Sequence, residues 1–233
     1  MKTLPLKLFL CSLIGLLTFG SCLKDNDDYQ NIPAGFMIHV NAFPEDNALY
    51  YYIDGRGINN NIAPIAFKSY ASTNLFTGQR NYKVVGMNAT KALIDSTITV
   101  KDSTAYTSFV FGTKEKPKFG LTIDKGIKDL GDKSGIRYFN LANNVEETNL
   151  FIGTAETALF SKRPTETGAS IVQYQAFQAN ASGNLPLIIK DNAGKELVKR
   201  DYNFVKGQYY TIILTGVKDN AQTPLYIGVV AIP

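Results

Sequence analysis

The chain contains one strand-like heptapeptide twice, first as Tyr106-Thr107-Ser108-Phe109-Val110-Phe111-Gly112 and again as Tyr210-Thr211-Ile212-Ile213-Leu214-Thr215-Gly216. β-branched and aromatic residues dominate both copies, which is typical of strands, and each copy ends at a glycine that suits a turn. The offset of 104 residues between the copies predicts a duplicated β-fold.

The same offset holds outside the heptapeptide. It pairs Asn88-Ala89 with Asn192-Ala193, Lys91 with Lys195, Leu93 with Leu197, Ile94 with Val198, and Ile98 and Val100 with Tyr202 and Phe204. Upstream, Asn41-Ala42 resembles Asn140-Leu141 at an offset of 99 residues, and Gly55 resembles Gly153 at 98. The change of offset predicts a longer middle in the second copy, which we place within residues 154–168.

Short strands between Gly, Asn, Asp and Pro turns, without a sustained helical period, predict an all-β fold of sandwich type with one wet face to each sheet. We expect two tandem sandwich domains, residues 34–124 and 135–233, joined by a polar linker at residues 125–134. Gly194 is expected at the positive-φ position of a hairpin turn. Thr90 stands there in the first copy, and a β-branched residue avoids that conformation, so the first turn should differ.

Residues 1–21 have the features of an export signal peptide. Lys2 and Lys7 precede an apolar run at residues 8–19, which is too short to span a bilayer comfortably. The segment Phe19-Gly20-Ser21-Cys22 then resembles a lipobox, with Phe19 where leucine is usual. We expect a lipid on Cys22 that attaches the mature chain to a membrane. A plain secretory signal is the alternative.

Residues 22–33 are expected to form an acidic tether. The cluster Lys24-Asp25-Asn26-Asp27-Asp28 resembles the signal that sends lipoproteins of the Bacteroidetes group to the cell surface, which implies a lipid-anchored position on the outer membrane. A flexible spacer is the alternative. The sequence supports an EF-hand loop beginning at Asp25 only weakly, because Gln30 and Phe36 stand where the loop needs Gly and Glu.

Composition excludes several classes of function. The formal net charge is +4, and it falls to +2 when Lys2 and Lys7 leave with the leader, so no basic stripe for nucleic acid remains. Cys22 is then the only cysteine, which leaves no disulfide and no thiolate metal site. His39 is the only histidine, too few for a zinc site, and we expect it on a wet sheet face or against the other domain. We predict no cofactor, no metal and no catalytic residue.

Carboxylates keep one enzymatic alternative open. Asp54, Glu45 and Asp46 cluster near one turn, and a pair of acids can hydrolyse a glycosidic bond. Acids at turns usually accept backbone hydrogen bonds instead. A carboxylate-dependent, glycan-processing hydrolase therefore remains an alternative, as does a purely structural envelope component.

Irregular polar loops at the ends of a sandwich are where such folds place recognition. The loops that fit are residues 45–48, 55–61 and 154–168. We therefore predict a non-enzymatic binding or adhesion module for a glycan or protein ligand. The candidate binding residues are Asp54, Arg56, Asn59, Asn60 and Asn61, together with Tyr51 in the run of three tyrosines.

The N-terminal copy resembles a known family. The segments at residues 40–46 and 49–55 are similar to the opening of domain-of-unknown-function family 4397, and residues 105–112 are similar to its penultimate strand. The resemblance runs into the second copy, which lacks the Pro and the Asp-Gly. It implies Ig-like or transthyretin-like sandwiches on exported, often lipid-anchored proteins, and it brings no activity and no site residues.

Overall fold

The computed structural model describes residues 32–58 and 63–233, and Pro33–Pro233 form one compact unit. The signal peptide, Cys22, nearly all of the acidic tether and the candidate residues Asn59, Asn60 and Asn61 lie outside the described residues.

The described part of the chain is almost entirely β, with a single four-residue helix, α1 (Ser170–Gln173). The N-terminal half contains β1 (Ala34–Asn41), β2 (Ala48–Ile53), β3 (Arg56–Gly57), β4 (Ile65–Ala66), β5 (Tyr70–Phe76), β6 (Gly78–Gly86), β7 (Ala92–Val100), β8 (Ala105–Gly112) and β9 (Pro117–Ile123). The C-terminal half contains β10 (Ser134–Asn140), β11 (Thr148–Ile152), β12 (Phe160–Arg163), α1, β13 (Gln178–Asn180), β14 (Gly183–Asp191), β15 (Glu196–Phe204), β16 (Tyr209–Thr215) and β17 (Tyr226–Ile232).

Each half is built from two sheets in the same strand order. In the N-terminal half the inner sheet is β5-β1-β8-β9 and the outer sheet is β3-β2-β6-β7, with β4 also paired to β2. In the C-terminal half the corresponding sheets are β13-β10-β16-β17 and β12-β11-β14-β15. The prediction of an all-β, duplicated sandwich is therefore confirmed.

The duplication extends to single residues. Asn41 pairs with Val110 where Asn140 pairs with Leu214, in the parallel contact of each inner sheet. The hydroxyls of Tyr106 and Tyr210 each accept a backbone N–H from the residue five positions earlier, at 3.0 Å. In the outer sheets the register shifts at equivalent points, leaving Leu93 and Leu197 unpaired in a bulge. A bulge retained in both copies is a feature of the fold and not a local accident.

Three hydrophobic cores separate the four sheets. One lies within each half, between its outer and inner sheets, and the third lies between the two inner sheets. Val40 and Phe109 of the N-terminal half meet Phe139 and Ile213 of the C-terminal half in this third core. The expectation of one wet face to each sheet is therefore wrong for the inner sheets, whose central strands are buried on both sides. Whether residues 34–124 and 135–233 are independent domains stays a prediction.

An ion pair with both side chains buried also joins the halves. The Arg137 guanidinium lies 2.7 Å from the Asp124 carboxylate, and the two side chains are 0% and 1% exposed. Arg137 also donates to the hydroxyls of Thr211 and Thr107, so both halves contribute to its binding. A buried charge needs such partners because the interior solvates it poorly.

The additional residues of the second copy do not lie where the sequence suggested. Lys68 and Glu166 occupy equivalent places, since each donates its backbone N–H to the equivalent asparagine, Asn41 or Asn140. The extra residues follow Glu166, at 167–177, and include α1. The placement within 154–168 is therefore wrong, and that loop contains β12 instead. The change of offset between the two copies showed that the second copy is longer but did not show where its extra residues begin.

The two hairpin turns differ as expected. Gly194 has φ of 82°, and its N–H donates to the Asp191 carbonyl oxygen. Thr90 is not among the described residues with positive φ, and the first turn closes instead through a bond from Ala89 N–H to Gly86.

Candidate ligand-binding cleft

The candidate site begins at a tight hairpin between β2 and β3. Asp54 and Gly55 have φ of 51° and 78°, and Ile53 pairs with Arg56 across them. Two successive positive φ angles define the type I′ turn that Asp-Gly favours. The expectation of an open loop from Gly55 onward is therefore wrong at Arg56–Gly57, which form β3.

Arg80 of β6 holds this hairpin against the neighbouring strand end. Its guanidinium donates to Asp54 Oδ2 at 3.1 Å and to the carbonyl oxygens of Phe76 and Thr77 at 2.9 and 2.6 Å. The other Asp54 oxygen accepts the backbone N–H of Asn81 at 2.8 Å. Both charged groups are thus fixed before any ligand arrives.

These groups line a cleft of about 390 Å³ at the open edge of the N-terminal half, which we call the N-terminal cleft. It lies between the hairpin and β5, and Phe76 is 60% exposed beside it. The lining residues are Ile53, Asp54, Arg56, Asn74, Leu75, Phe76 and Arg80. An exposed aromatic ring next to fixed polar groups is a combination that binding sites use.

Of the predicted binding residues that the structure describes, two lie in the N-terminal cleft and one lies elsewhere. Asp54 and Arg56 line the cleft. Tyr51 is buried in the N-terminal core, and its hydroxyl donates to the Val40 carbonyl oxygen, so its assignment as a binding residue is wrong. Tyr51 alternates with its neighbours as expected, but the face it takes is the core face.

Phe76, Asn74 and Arg80 also line the cleft and were not among the predicted binding residues. The signal for Phe76 was available, because Leu75 faces the core and its neighbour in a strand must then point the other way. Arg80 gave no such signal. Its contact with Asp54 depends on the pairing of β2 with β6, which brings together residues far apart in the chain.

The single histidine lies in neither predicted place. His39 is fully buried in the N-terminal half's own core, with Nδ1 2.8 Å from the Tyr82 hydroxyl, which lies 2.8 Å from Ser108 Oγ. Burial lowers the pKa of His39 to about 3. The expectation of a wet face or an interdomain position is wrong because the inner strand is covered on both sides. A neutral imidazole without solvent contact cannot exchange protons with a substrate.

Glu45 and Asp46 lie before the start of β2, at the opposite end of that strand from Asp54, so the expectation that these three acids cluster near one turn is wrong. Each accepts a backbone N–H instead. Glu45 Oε2 accepts the N–H of Lys114 at 2.6 Å, and Asp46 Oδ1 accepts that of Ala48 at 3.4 Å. Within residues 32–58 and 63–233, His, Cys, Asp and Glu side chains form no group of three that could hold a metal ion. The same part of the chain has no helix of the length and hydropathy that a membrane crossing requires.

Fold and cleft together define a duplicated β-sandwich protein with an edge cleft. Residues 37–151, just under half of the chain, match the model of the family described as Domain of unknown function (DUF4397). The match confirms the resemblance seen in the N-terminal copy, including its extension into the second copy. No curated protein matches this chain.

Several solved structures overlap this chain loosely. A carbohydrate-binding module of family CBM26 from Eubacterium rectale Amy13K, in complex with maltoheptaose, is 12% identical, with 83% of this chain and 96% of that chain covered and a TM-score of 0.26. A streptococcal virulence factor described as binding alpha-glucan is 11% identical, with 83% and 95% covered and a TM-score of 0.25. A DUF3823 family protein from Bacteroides ovatus is 12% identical, with 75% and 98% covered and a TM-score of 0.21. At such low TM-scores, nothing that these proteins bind is carried over to this chain.

Proposed function

We propose that the chain is a non-enzymatic binding protein of the bacterial cell envelope, lipid-anchored through Cys22 on the outer face of the outer membrane, whose N-terminal cleft binds a glycan. The observation that carries the binding proposal is the exposed Phe76 ring beside the fixed Asp54–Arg80 pair. The Cys22 motif and the acidic cluster after it support the proposed address.

The chemistry of the cleft suits a sugar ring. A pyranose has an apolar face of C–H groups and a fringe of hydroxyls. The Phe76 ring offers apolar area for the face, and the Asp54 carboxylate with the Arg80 and Arg56 guanidiniums offers charged acceptors and donors for the hydroxyls. Because Arg80 is already held by three acceptors, binding costs little side-chain ordering there.

Binding is favoured over hydrolysis by the carboxylate inventory of the cleft. Hydrolysis of a glycosidic bond needs two carboxyl groups on either side of it. Among the described lining residues Asp54 is the one carboxylate, and both its oxygens already accept hydrogen bonds from Arg80 and Asn81. Such an acid is well placed to hold the cleft rigid and poorly placed to act as a nucleophile.

A glycan array probed with the full mature chain tests the binding proposal. We expect a specific glycan, at least tenfold weaker binding for Phe76→Ala and Arg56→Ala, and unchanged binding for Val205→Ala, which removes an apolar side chain of similar exposure elsewhere. If an envelope protein binds at this cleft and no glycan does, the ligand is a protein and the glycan proposal is wrong. Turnover of chromogenic glycosides that is lost in Asp54→Asn would refute the binding proposal in favour of the hydrolase.

The address is tested separately in cells. We expect labelling with radioactive palmitate to disappear in Cys22→Ala, and protease added to intact cells to digest the wild-type chain. Replacement of Asp25, Asp27 and Asp28 by Ala should protect the chain from the protease without loss of the label. Undiminished labelling of Cys22→Ala would refute the lipid anchor.

A further inference from the structure

The C-terminal half contains a buried arginine where the N-terminal half has an apolar core residue. Thr148 pairs with Arg163 as Leu49 pairs with Ile65. Asn140 and Asn41 each donate a side-chain N–H to the carbonyl oxygen of that residue. Ile65 fills the position with a simple apolar side chain, so the fold itself does not require a charge there.

Arg163 is also incompletely partnered. It is 7% exposed, its guanidinium lies 3.8 Å from the centre of the Tyr174 ring, and Nη2 donates to the Tyr138 carbonyl oxygen at 3.0 Å. Among the described residues no carboxylate oxygen lies within 4.0 Å of it, in contrast to Arg137 with Asp124. A nearly buried cation is normally paired with an anion, because desolvation of the charge is costly.

Burial lowers the pKa of Arg163, and the attraction of Glu166 opposes that shift only in part. The carboxylate of Glu166 is beyond ion-pair distance, and its Oε2 is bonded to the Ser170 hydroxyl. Its Oε1 is buried and has no hydrogen-bond partner among the described residues. Burial raises the pKa of Glu166, and the Ser170 hydrogen bond and the charge of Arg163 oppose that shift only in part, so Glu166 is a weaker counterion than an exposed carboxylate.

Arg163 opens onto a cleft of about 320 Å³ between β12 and the segment that precedes β13, which we call the C-terminal cleft. Its polar walls are Ser161, Lys162, Arg163, Gln173 and Gln178, and no Asp or Glu lines it. Two cations and two amides thus face a space large enough for a sugar residue.

We propose that the C-terminal cleft is a second ligand site, which binds an acidic sugar through a bidentate contact of its carboxylate with Arg163. Lys162 adds a second positive charge at the mouth of the cleft, and the amides of Gln173 and Gln178 bind the sugar hydroxyls. The Tyr174 ring, 3.8 Å from the guanidinium carbon, restrains the Arg163 side chain before a ligand binds. The site does not depend on the N-terminal cleft.

Calorimetric titration of the full mature chain with an oligogalacturonate, beside a neutral galactan oligomer of equal length, tests this site. We expect binding of the acidic oligomer that weakens as salt is added, and no binding of the neutral one. Arg163→Lys should weaken binding at least tenfold, because an ammonium cannot form the bidentate contact. Arg163→Ile, which installs the residue of the N-terminal half, should abolish binding while the chain keeps its cooperative melt.

Two control variants distinguish binding at this site from nonspecific attraction to surface cations and from binding at the N-terminal cleft. Lys206→Ala removes an exposed cation elsewhere and should leave binding unchanged, as should Phe76→Ala. Equal binding of the neutral oligomer, or wild-type affinity in Arg163→Ile, would overturn the proposal. Tighter binding of a short peptide with a free C-terminal carboxylate would reassign the cleft to a protein ligand and overturn the acidic sugar.

Discussion

The two halves share strand order and register but contain different chemistry in their own cores. The N-terminal core encloses a chain of polar groups on His39, Tyr82 and Ser108. In the C-terminal core, Tyr138 and Ile212 occupy the places of His39 and Ser108 and pair with each other in the same way. Leu187 occupies the place of Tyr82. The Tyr138 hydroxyl bonds instead to the buried Thr148 hydroxyl at 2.7 Å. One backbone plan thus accepts two different sets of buried polar groups, because strand alternation decides which positions are buried and not what they contain.

The halves also differ in the contacts that each contributes to the surface between them. Only the C-terminal half carries the insertion at residues 167–177, and its Ile171 packs into the third core directly over Gly120 of β9. A Cβ at Gly120 would overlap the Ile171 side chain. Gln175 of the same insertion accepts the N–H of Ile123 at 3.0 Å. The insertion therefore fastens the second copy onto the first.

The largest effect is expected at the ion pair between the halves. Asp124→Ala leaves the buried Arg137 without its counterion, which should lower the free energy of unfolding by about 3–5 kcal/mol. Denaturant unfolding measures it. Asp132→Ala is the matched control, because its ion pair with Lys206 is exposed, and it should leave the midpoint unchanged. Equal midpoints for the two variants would mean that this ion pair adds nothing to the stability of the contact between the halves.

The polar N-terminal core should make stability depend on pH. The pKa of His39 is about 3 in the folded chain and about 6.5 when unfolded, so the unfolded state binds more protons between these values. Stability should therefore be intact above about pH 6.5 and lower by roughly 3 kcal/mol at pH 4.

Urea midpoints between pH 7 and pH 4 measure this loss. His39→Gln should flatten the dependence even if it costs stability at pH 7, because glutamine does not titrate. Tyr138→Phe, at the equivalent place in the other core, should leave the slope as it is. A slope that persists in His39→Gln would place the titrating group elsewhere.

A smaller effect is expected at the insertion. Ile171→Ala removes a fully buried side chain from the third core and should cost about 2 kcal/mol or somewhat more. The neighbouring Val172 is 52% exposed, so Val172→Ala should change thermal unfolding little. If both variants melt like the wild type, the insertion rests on the first half without stabilising it.

The strands, the duplication and two residues of the N-terminal cleft could be predicted from the amino-acid sequence. These follow from local signals, namely alternation, turn residues and a constant offset. The third core was not predicted, although the consecutive apolar residues Ile212-Ile213-Leu214 are typical of a strand buried on both faces. Phe76 and Arg80 join Asp54 only through the pairing of strands distant in the chain, and Arg163 is recognisable as unusual only once Ile65 is known to occupy the same place.

The smallest expected effect compares one turn residue between the halves. Ser103 and Gly207 occupy equivalent places, since their N–H groups donate to Ala34 and Lys133 at the starts of the two inner sheets, at 2.9 Å each. Both have positive φ, 51° and 75°. A non-glycine residue pays about 1–2 kcal/mol for this conformation, while glycine loses more backbone entropy on folding, about 0.5–1 kcal/mol.

Ser103→Gly should therefore raise the free energy of unfolding by about 0.5 kcal/mol, and Gly207→Ser should lower it by a similar amount. Urea midpoints at unchanged m-value measure both shifts, and an unchanged m-value would show that the compactness of the two states is preserved. Opposite signs of similar size would establish that the two turns are energetically as well as geometrically equivalent. A loss of stability in Ser103→Gly would instead mean that the exposed bond from Ser103 Oγ to Asp102 outweighs the backbone strain, so that the first copy has adapted its turn to serine.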